Sequence, residues 1–430
     1  MILALSLVAL AVALVLVWRG HDVRLVLFAV ALVIGFAAGQ GGAVFRKTAE
    51  TLADPKFLLP ICSAMGFAHV CRDTGCVEAL VRLLLRPIAR APRLGIPAGS
   101  AVAVVVNAAI PSQTSTLAAV GPLVVALNAK VGANALEVGA ALVFGSSVAG
   151  ALLNPGVAEV GAVAQMTGRP ALEVVAALAP SVVVAFMSGL ALLLGVARFT
   201  RAAPEALPSV DVEGERPAAA PPAYLALIPP IPIACLVLAH PSLPTHRLLA
   251  PVMPAGLEVF TVMIASSLLA LAAASRDRAR TTRVLFEGMG WAFANIVVVI
   301  AVSTGIAKAL EAAGLMHAFV ATTSGHPGAA LAAAFFLAFG LGAISGSGTA
   351  PSVALVGVLG PHTAELGVGP MTLGGVILCG AEAGRTTSPV SAVLNFGCTL
   401  CGVPPRVLVA RLALPCLVAG AAGAMVCVLR

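Results

Sequence analysis

Long apolar runs recur along the whole chain, at residues 2–17, 25–44, 57–70, 171–196, 224–239, 257–274, 284–303 and 407–429. A helix that crosses the hydrocarbon core of a bilayer needs roughly 20 mostly apolar residues. The runs lack the short alternating segments of a β-barrel. With hydrophobic residues at 60% and charged residues at 10%, the sequence lies outside the range of soluble domains. The expected fold class is an all-α polytopic membrane protein, in which backbone polar groups inside the lipid are bonded within helices. The first run has no basic segment before it, and Trp18 and Arg19 stand where a signal peptide would place small cleavage-site residues, so it is expected to be a retained helix.

Other classes of chemistry are poorly served. The nine cysteines lie mostly in apolar context, and the pair Cys398 and Cys401 has no second CxxC and no histidines nearby. They are expected to be small buried packers, with no metal and no cofactor. The formal charge of +7 favours anionic headgroups and anionic substrates. No basic run is interleaved with aromatics, so nucleic acid is not an expected partner.

Composition breaks once. Residues 200–222, "TRAAPEALPSVDVEGERPAAAPP", are rich in Pro, Ala and charge and hold too little apolar surface to pack, so they are expected to form a linker. The linker falls almost at the midpoint, and the halves match in plan. Each has two or three spanning helices, an apolar run broken by Ser, Thr and Pro, a second run broken at a polar-Pro pair, and a closing helix. The breaks are "AAIPSQTST" (108–116) and "GALLNPG" (150–156) in the first half, and "ISGSGTAPS" (344–352) and "GRTTSPVS" (384–391) in the second. Residues 1–199 and 223–430 are therefore expected to be two repeats.

Basic residues set their orientation. Arg82, Arg86, Arg90 and Arg93 follow the third helix of the first half, and only Lys308 occupies the equivalent loop of the second. Arg276, Arg278, Arg280 and Arg283 follow the second helix of the second half, with Arg46, Lys47 and Lys56 opposite. The positive-inside rule puts both arginine clusters, with Arg201 and Arg216 of the linker, in the cytoplasm. The halves must then be inverted, with both termini outside, about ten full spans and two re-entrant hairpins.

Non-helical backbone at membrane depth is tolerated only inside protein or along a wet cavity, so four matched breaks predict a polar site. Helix N-termini at hairpin tips and unwound helices would turn free N–H groups towards one small volume, which suits a carboxylate. Gly346 and Gly348 would let the backbone approach the ligand, and Ser347 and Thr349 would donate to its oxygens. The structural alternative is that Gly and Ser only permit close helix packing.

Charges inside the last broken run sharpen the site. Arg385 is the candidate for holding an anionic carboxylate through its planar fork. Glu382 lies three residues away on the same helix face and is open to two readings: a structural partner of Arg385, or a proton-coupling carboxyl, since burial penalises its charged form. Arg72 and Asp73 are expected to pair locally at the end of the third helix. His317, His326 and His362 are expected in short surface or interfacial loops.

The segments 64–88 ("AMGFAHVCRDTGCVEALVRLLLRPI"), 109–132 ("AIPSQTSTLAAVGPLVVALNAKVG"), 345–355 ("SGSGTAPSVAL") and 384–393 ("GRTTSPVSAV") resemble the anaerobic C4-dicarboxylate carriers of the DcuC type. These belong to the ion-transporter superfamily that includes the INDY-like dicarboxylate carriers. The resemblance covers nearly the whole chain except the linker and first helix. It implies a non-enzymatic secondary carrier of succinate, fumarate, malate or a related dianion in the bacterial inner membrane. It also implies proton coupling and a homodimer whose hairpins ride together in an elevator motion. By motif it assigns substrate contacts to Ser112, Gln113 and Thr114 at the first tip and Asn154 at the first unwound helix. Ser347, Gly348 and Thr349 fall at the second tip, and Arg385, Thr386 and Ser388 at the second unwound helix. The first tip, "PSQTST", lacks the glycines of the second and departs from the Ser-Asn-Thr tips of INDY-like members, which leaves Na⁺ as an alternative coupling ion.

Two rivals remain. The same scaffold serves carriers of other organic anions, such as short-chain acids or tricarboxylates, and Na⁺/H⁺ exchangers. An exchanger needs intramembrane carboxylates, and Glu382 stands out as the only strong one, beside an arginine that repels cations. An intramembrane serine hydrolase using Ser345 or Ser347 would need a base oriented to the serine, and no histidine falls in a spanning run of the second half.

Overall fold

The computed structural model describes residues 2–19, 21–88, 91, 94–148, 150–199, 207, 221–241, 245, 257–274, 277–323 and 325–430. Most of the 200–222 linker, together with Arg90, Arg93, Arg201, Arg216 and Arg276, lies outside these residues, as does the side chain of His317. The described residues are mostly helical, and every element among them is a helix.

The first half comprises α1 (Ile2–Trp18), α2 (Val23–Ala37), α3 (Gly41–Leu52), α4 (Pro55–Asp73), α5 (Cys76–Leu85), α6 (Gly95–Ala109), α7 (Gln113–Ala129), α8 (Ala135–Ser147), α9 (Ala158–Thr167) and α10 (Ala171–Phe199). The second comprises α11 (Ile231–Leu238), α12 (Val259–Ala274), α13 (Arg278–Ala292), α14 (Val298–Ala312), α15 (Leu315–Thr323), α16 (Pro327–Ser345), α17 (Thr349–Leu359), α18 (Pro370–Thr386), α19 (Ala392–Cys401) and α20 (Pro405–Leu429). Among the described residues five stretches are long and apolar enough to cross a membrane: Ala135–Thr167, Ala171–Arg198, Arg278–Ala312, Pro327–Ser345 and Pro405–Leu429.

Several expected spans are interrupted. The run at 25–44 breaks after α2, because Gly39 takes a left-handed φ of 71° that ends the helix cheaply only at glycine. The run at 224–239 begins as a 3-10 turn, Ala223–Leu227, and becomes α-helical only after Pro229 and Pro230. The run at 284–303 lies inside a longer helix that carries a π-turn at Phe293–Val297, the kind of bulge that re-aims a helix without ending it.

Contacts between elements come in equivalent pairs. The first arm of each hairpin packs on the broken helix of its own half, α6 on α8 and α16 on α18. The second arm packs on the broken helix of the other half, α7 on α19 and α17 on α9, and the closing helices α10 and α20 pack together. Small residues allow the closest approach. A Cβ on Gly342 would lie 2.6 Å from the Ala381 carbonyl oxygen, and one on Gly380 2.5 Å from that of Phe335, as expected for helices packed without a hydrophobic driving force between them.

A second apolar core lies apart from the main one. It joins Ala13, Val26, Val30, Ala31, Ile34 and Val44 to Ile306, Ala309 and Leu310, so that α1, α2, α3 and α14 hold one another. α4 packs on α12 and α13 within the main core.

Asp73 does not use Arg72. Its carboxylate binds Arg280 at 3.0 Å and accepts the Thr281 hydroxyl at 3.0 Å, tying the end of α4 to the start of α13. Gly75 lies against Pro221 at the end of the linker. The end of α4, the start of α13 and Pro221 thus lie close together. His326 is exposed before α16, and His362, in a 3-10 turn, lies 3.3 Å from Glu365, in line with the loop assignment, whereas the backbone of His317 lies in α15 and not in a loop. All nine cysteines are free, and seven are buried.

Candidate functional site

All four sequence breaks are breaks in the helices. At the first tip α6 ends at Ala109 and α7 begins at Gln113, with Ser112 as N-cap: its Oγ accepts from the Ser115 N–H at 3.4 Å and lies 2.9 Å from the Ser115 hydroxyl. At the second tip Gly346 takes a left-handed φ of 69° after α16. The Ser347 Oγ then accepts from the Ala350 N–H at 3.3 Å, and α17 starts at Thr349.

The first broken helix stops at Ser147, passes a 3-10 turn at Gly150–Leu153 and resumes at Ala158. Asn154, fully buried, holds this break. Its Nδ2 donates to the Ala108 carbonyl at 2.8 Å, and its Oδ1 accepts from the Gly156 N–H at 2.8 Å. The second broken helix stops at Thr386 and resumes at Ala392, with Ser388 and Thr387 buried in the gap.

The two broken helices meet where both are interrupted. Arg385 Nη2 donates to the Ser147 carbonyl at 2.7 Å and to Glu382 Oε2. The Thr386 hydroxyl donates to the Glu382 carbonyl at 2.7 Å and shares a 2.8 Å bond with the Ser147 hydroxyl. Arg385 is 7% exposed and Glu382 1%. The pair is nonetheless incompletely satisfied, for Arg385 Nε and Glu382 Oε1 have no hydrogen-bond partner. Both face the backbone of the second tip: a Cβ on Gly348 would strike Glu382 Oε1 and lie 3.2 Å from Arg385 Nε. Unpartnered buried groups of this kind are costly, and two of opposite character at a hairpin tip make a place where an anion or a proton finds a partner.

Of the residues assigned from sequence, Arg385, Glu382, Thr386 and Gly348 come together directly. Thr349 joins them through a residue the sequence reasoning missed. Its hydroxyl donates to Glu159 of α9, which is 5% exposed and close enough to Glu382 for their charges to interact. Glu382 is therefore not the only strong intramembrane carboxylate. Asn154 and Ser388 shape the breaks, and Ser347 caps α17. No described hydrogen bond links Ser112, Gln113 or Thr114 to Arg385; Gln113 and Thr114 stand half-buried in the first turn of α7. A second buried ion pair was also missed, Arg411 of α20 with Glu137 of α8 at 2.7 Å.

The cluster lies beneath the surface. A cleft of about 930 Å³ runs between α4, the start of α10, α11 and the start of α12 and reaches Pro155, next to Asn154. Lys56, Glu173, His240 and Glu258 line it. Ser345 gives its hydroxyl to the Leu341 carbonyl at 2.7 Å, and Ser347 caps a helix. These are roles of helix ends, not of an activated nucleophile.

Comparison with known proteins agrees with this architecture. Two Haemophilus influenzae proteins described as uncharacterized transporters are similar: one is 32% identical over 100 residues, covering 23% of this chain and 69% of that protein, the other 28% over 193 residues, covering 44% and 66%. The anaerobic C4-dicarboxylate transporter DcuC of Escherichia coli K12 is 30% identical over 138 residues, which cover 31% of this chain and 30% of that carrier. These relatives are transporters, not enzymes. The family model described as the C4-dicarboxylate anaerobic carrier matches residues 56–429, both broken helices and both tips included, and the chain belongs to the DcuC family of transporters.

Proposed function

We propose that this protein is a secondary active carrier that moves a C4-dicarboxylate, such as succinate, fumarate or malate, across the bacterial inner membrane in symport with protons. The observation that carries the proposal is the buried Arg385, whose Nε is unpartnered and faces the second hairpin tip. One substrate carboxylate would take this guanidinium, where charge-assisted bonds are strongest. The Gly348 backbone and the Thr349 and Ser347 hydroxyls would close over it. Thr386, Ser388 and Asn154 hold the unwound helices around it, and Ser112, Gln113 and Thr114 would engage the far carboxylate when the first tip approaches. Glu382 competes with the substrate for Arg385. Protonating Glu382 releases the guanidinium to the dianion, which couples proton and substrate.

Two inverted repeats, 1–199 and 223–430, joined by a cytoplasmic linker and crossing about ten times with two hairpins, account for the paired contacts. The separate core of α1, α2, α3 and α14 supports a division into a scaffold and a moving body of hairpins and broken helices. Such a division suits an elevator motion in a homodimer.

The test is uptake of labelled succinate into proteoliposomes with and without an inward proton gradient. Wild type should show gradient-stimulated uptake, and Arg385→Ala should lose it. A folded wild-type protein that moves none of the three dicarboxylates would refute the substrate, and gradient-independent uptake would refute proton coupling.

A further inference from the structure

The buried cluster holds one more ionisable group than this mechanism uses. Glu159 accepts from Thr349 at the second tip, the residue after Gly348, where an added Cβ would meet Glu382. The elements packed on α9 and α18 offer little to balance it. Neither α16 nor α17 carries a charged residue. Arg411 of α20 is held by Glu137 of α8 at 2.7 Å, and Asp73 of α4 by Arg280 at 3.0 Å. The other titratable groups on these elements are Arg406 of α20, Lys56, His69 and Arg72 of α4, Glu173 and Arg198 of α10, His362 of the 3-10 turn, and the thiols of α4, α18 and α20. Glu382 and Arg385 face Gly348, and Glu159 accepts from the next residue, Thr349, so all three charged groups meet at the second tip. The unpartnered Glu382 Oε1 and Arg385 Nε, both buried, mark the same volume as a binding site.

Charge counting in this volume gives a definite result. With both carboxyls ionised, two carboxylates face one guanidinium and the empty cluster holds one net negative charge. A C4-dicarboxylate is a dianion at neutral pH. Adding it to the ionised cluster would collect three net negative charges where water is largely excluded, a strongly unfavourable arrangement. If Glu159 and Glu382 each take a proton, the loaded cluster returns to one net negative charge.

We propose that Glu159 and Glu382 together set the coupling, so that two protons travel with each dicarboxylate dianion and the cycle moves no net charge. Each proton binds a carboxylate oxygen on the side of uptake and returns to water on the other side with the dianion; only these O–H bonds form and break. Protonating Glu159 also replaces its charge-assisted bond to Thr349 with a neutral one, so tip opening and proton release become linked. The proposal rests on the dicarboxylate function above and adds its stoichiometry and a second coupling residue.

The experiment measures equilibrium accumulation of labelled succinate in proteoliposomes against the pH gradient, with membrane potential clamped at zero by potassium and valinomycin. Two coupled protons give about a 100-fold gradient per pH unit, and one gives about 10-fold. Wild type should show the steeper dependence and no response to potential. Glu159→Gln should fall to about 10-fold per unit, and its uptake should now be driven by an inside-positive potential. Counterflow of labelled against unlabelled succinate needs no net proton movement and should survive in Glu159→Gln. A wild-type slope of about 10-fold overturns the inference whether or not the variant folds, and so does an unchanged slope in a variant with intact counterflow. Absence of both accumulation and counterflow of succinate, fumarate and malate in wild type refutes instead the dicarboxylate function, and this stoichiometry with it.

Discussion

Gly348→Ala adds one methyl at the most crowded point of the candidate site. The Cβ would strike Glu382 Oε1 and lie 3.1 Å from its Cδ and 3.2 Å from Arg385 Nε. Backbone strain is not the obstacle, because Gly348 has φ −85° and ψ −36°, a region alanine adopts freely. Through the unfolded chain alone the change would stabilise by about 0.4–1 kcal/mol. To admit the methyl, either the tip lifts or Glu382 parts from Arg385, and breaking a buried pair costs about 3–5 kcal/mol. That net cost falls on folding, whereas binding loses the charge-assisted contact that the methyl displaces beside Arg385 Nε, about 1.5–3 kcal/mol, a roughly 10- to 140-fold loss of succinate affinity. Calorimetric titration of detergent-purified protein reads this directly, with thermal unfolding as a check on folding. Gly340→Ala, on the same hairpin with no atom within 4 Å of the added Cβ, should bind like wild type. Gly346→Ala strains a left-handed residue by about 1–2 kcal/mol, but its Cβ meets Ser391 and Val390 rather than the ion pair. Binding by Gly348→Ala within about threefold of wild type, a free-energy change below about 1 kcal/mol, would refute the placement of substrate against this tip.

Further predictions address the surroundings. Thr349→Val keeps the side-chain shape but removes the donor to Glu159, a loss of about 1–3 kcal/mol; hydrogen exchange over 346–352 should speed up, and unchanged protection would count against the bond as a latch. Glu137→Ala strands Arg411 in the interior and should destabilise by about 3–5 kcal/mol. The double change Glu137→Met with Arg411→Met should recover most of that in thermal unfolding and leave the proton stoichiometry intact. Cysteines placed by Arg86→Cys and Arg280→Cys should both react with a membrane-impermeant maleimide from the cytoplasmic side; labelling from opposite sides would overturn the inverted arrangement.

Much of this architecture is legible because clusters of glycine, proline and hydroxyl residues end a helix, whereas single ones such as Pro180 and Gly342 stay inside one. The four breaks at 108–116, 150–156, 344–352 and 384–391 lie where the helices stop. The Glu382–Arg385 pair is visible because its members are one helical turn apart. Glu159 escapes notice for the opposite reason. Its partner Thr349 is 190 residues away, and "NPGVAEVGAV" reads as an apolar run with one stray acid. The Glu137–Arg411 pair is hidden in the same way. Asp73 misleads because sequence adjacency favours Arg72, whereas the packing of α4 on α13 delivers Arg280.

The exchange of hairpin arms between halves has a consequence for biogenesis. The second arm of the first hairpin, α7, rests on α19, which is synthesised only after residue 392. Until then the first half emerges from the ribosome with α7 packed on α6 and α8 but with its α19 face uncovered, and that face must be shielded by lipid or by the insertion machinery. A chain that terminates early therefore exposes one unpaired face of the hairpin, a natural mark for quality control. Conversely, two fragments divided within 200–222 carry complementary halves of each docking surface, so coexpression should reassemble the carrier where neither fragment alone is stable.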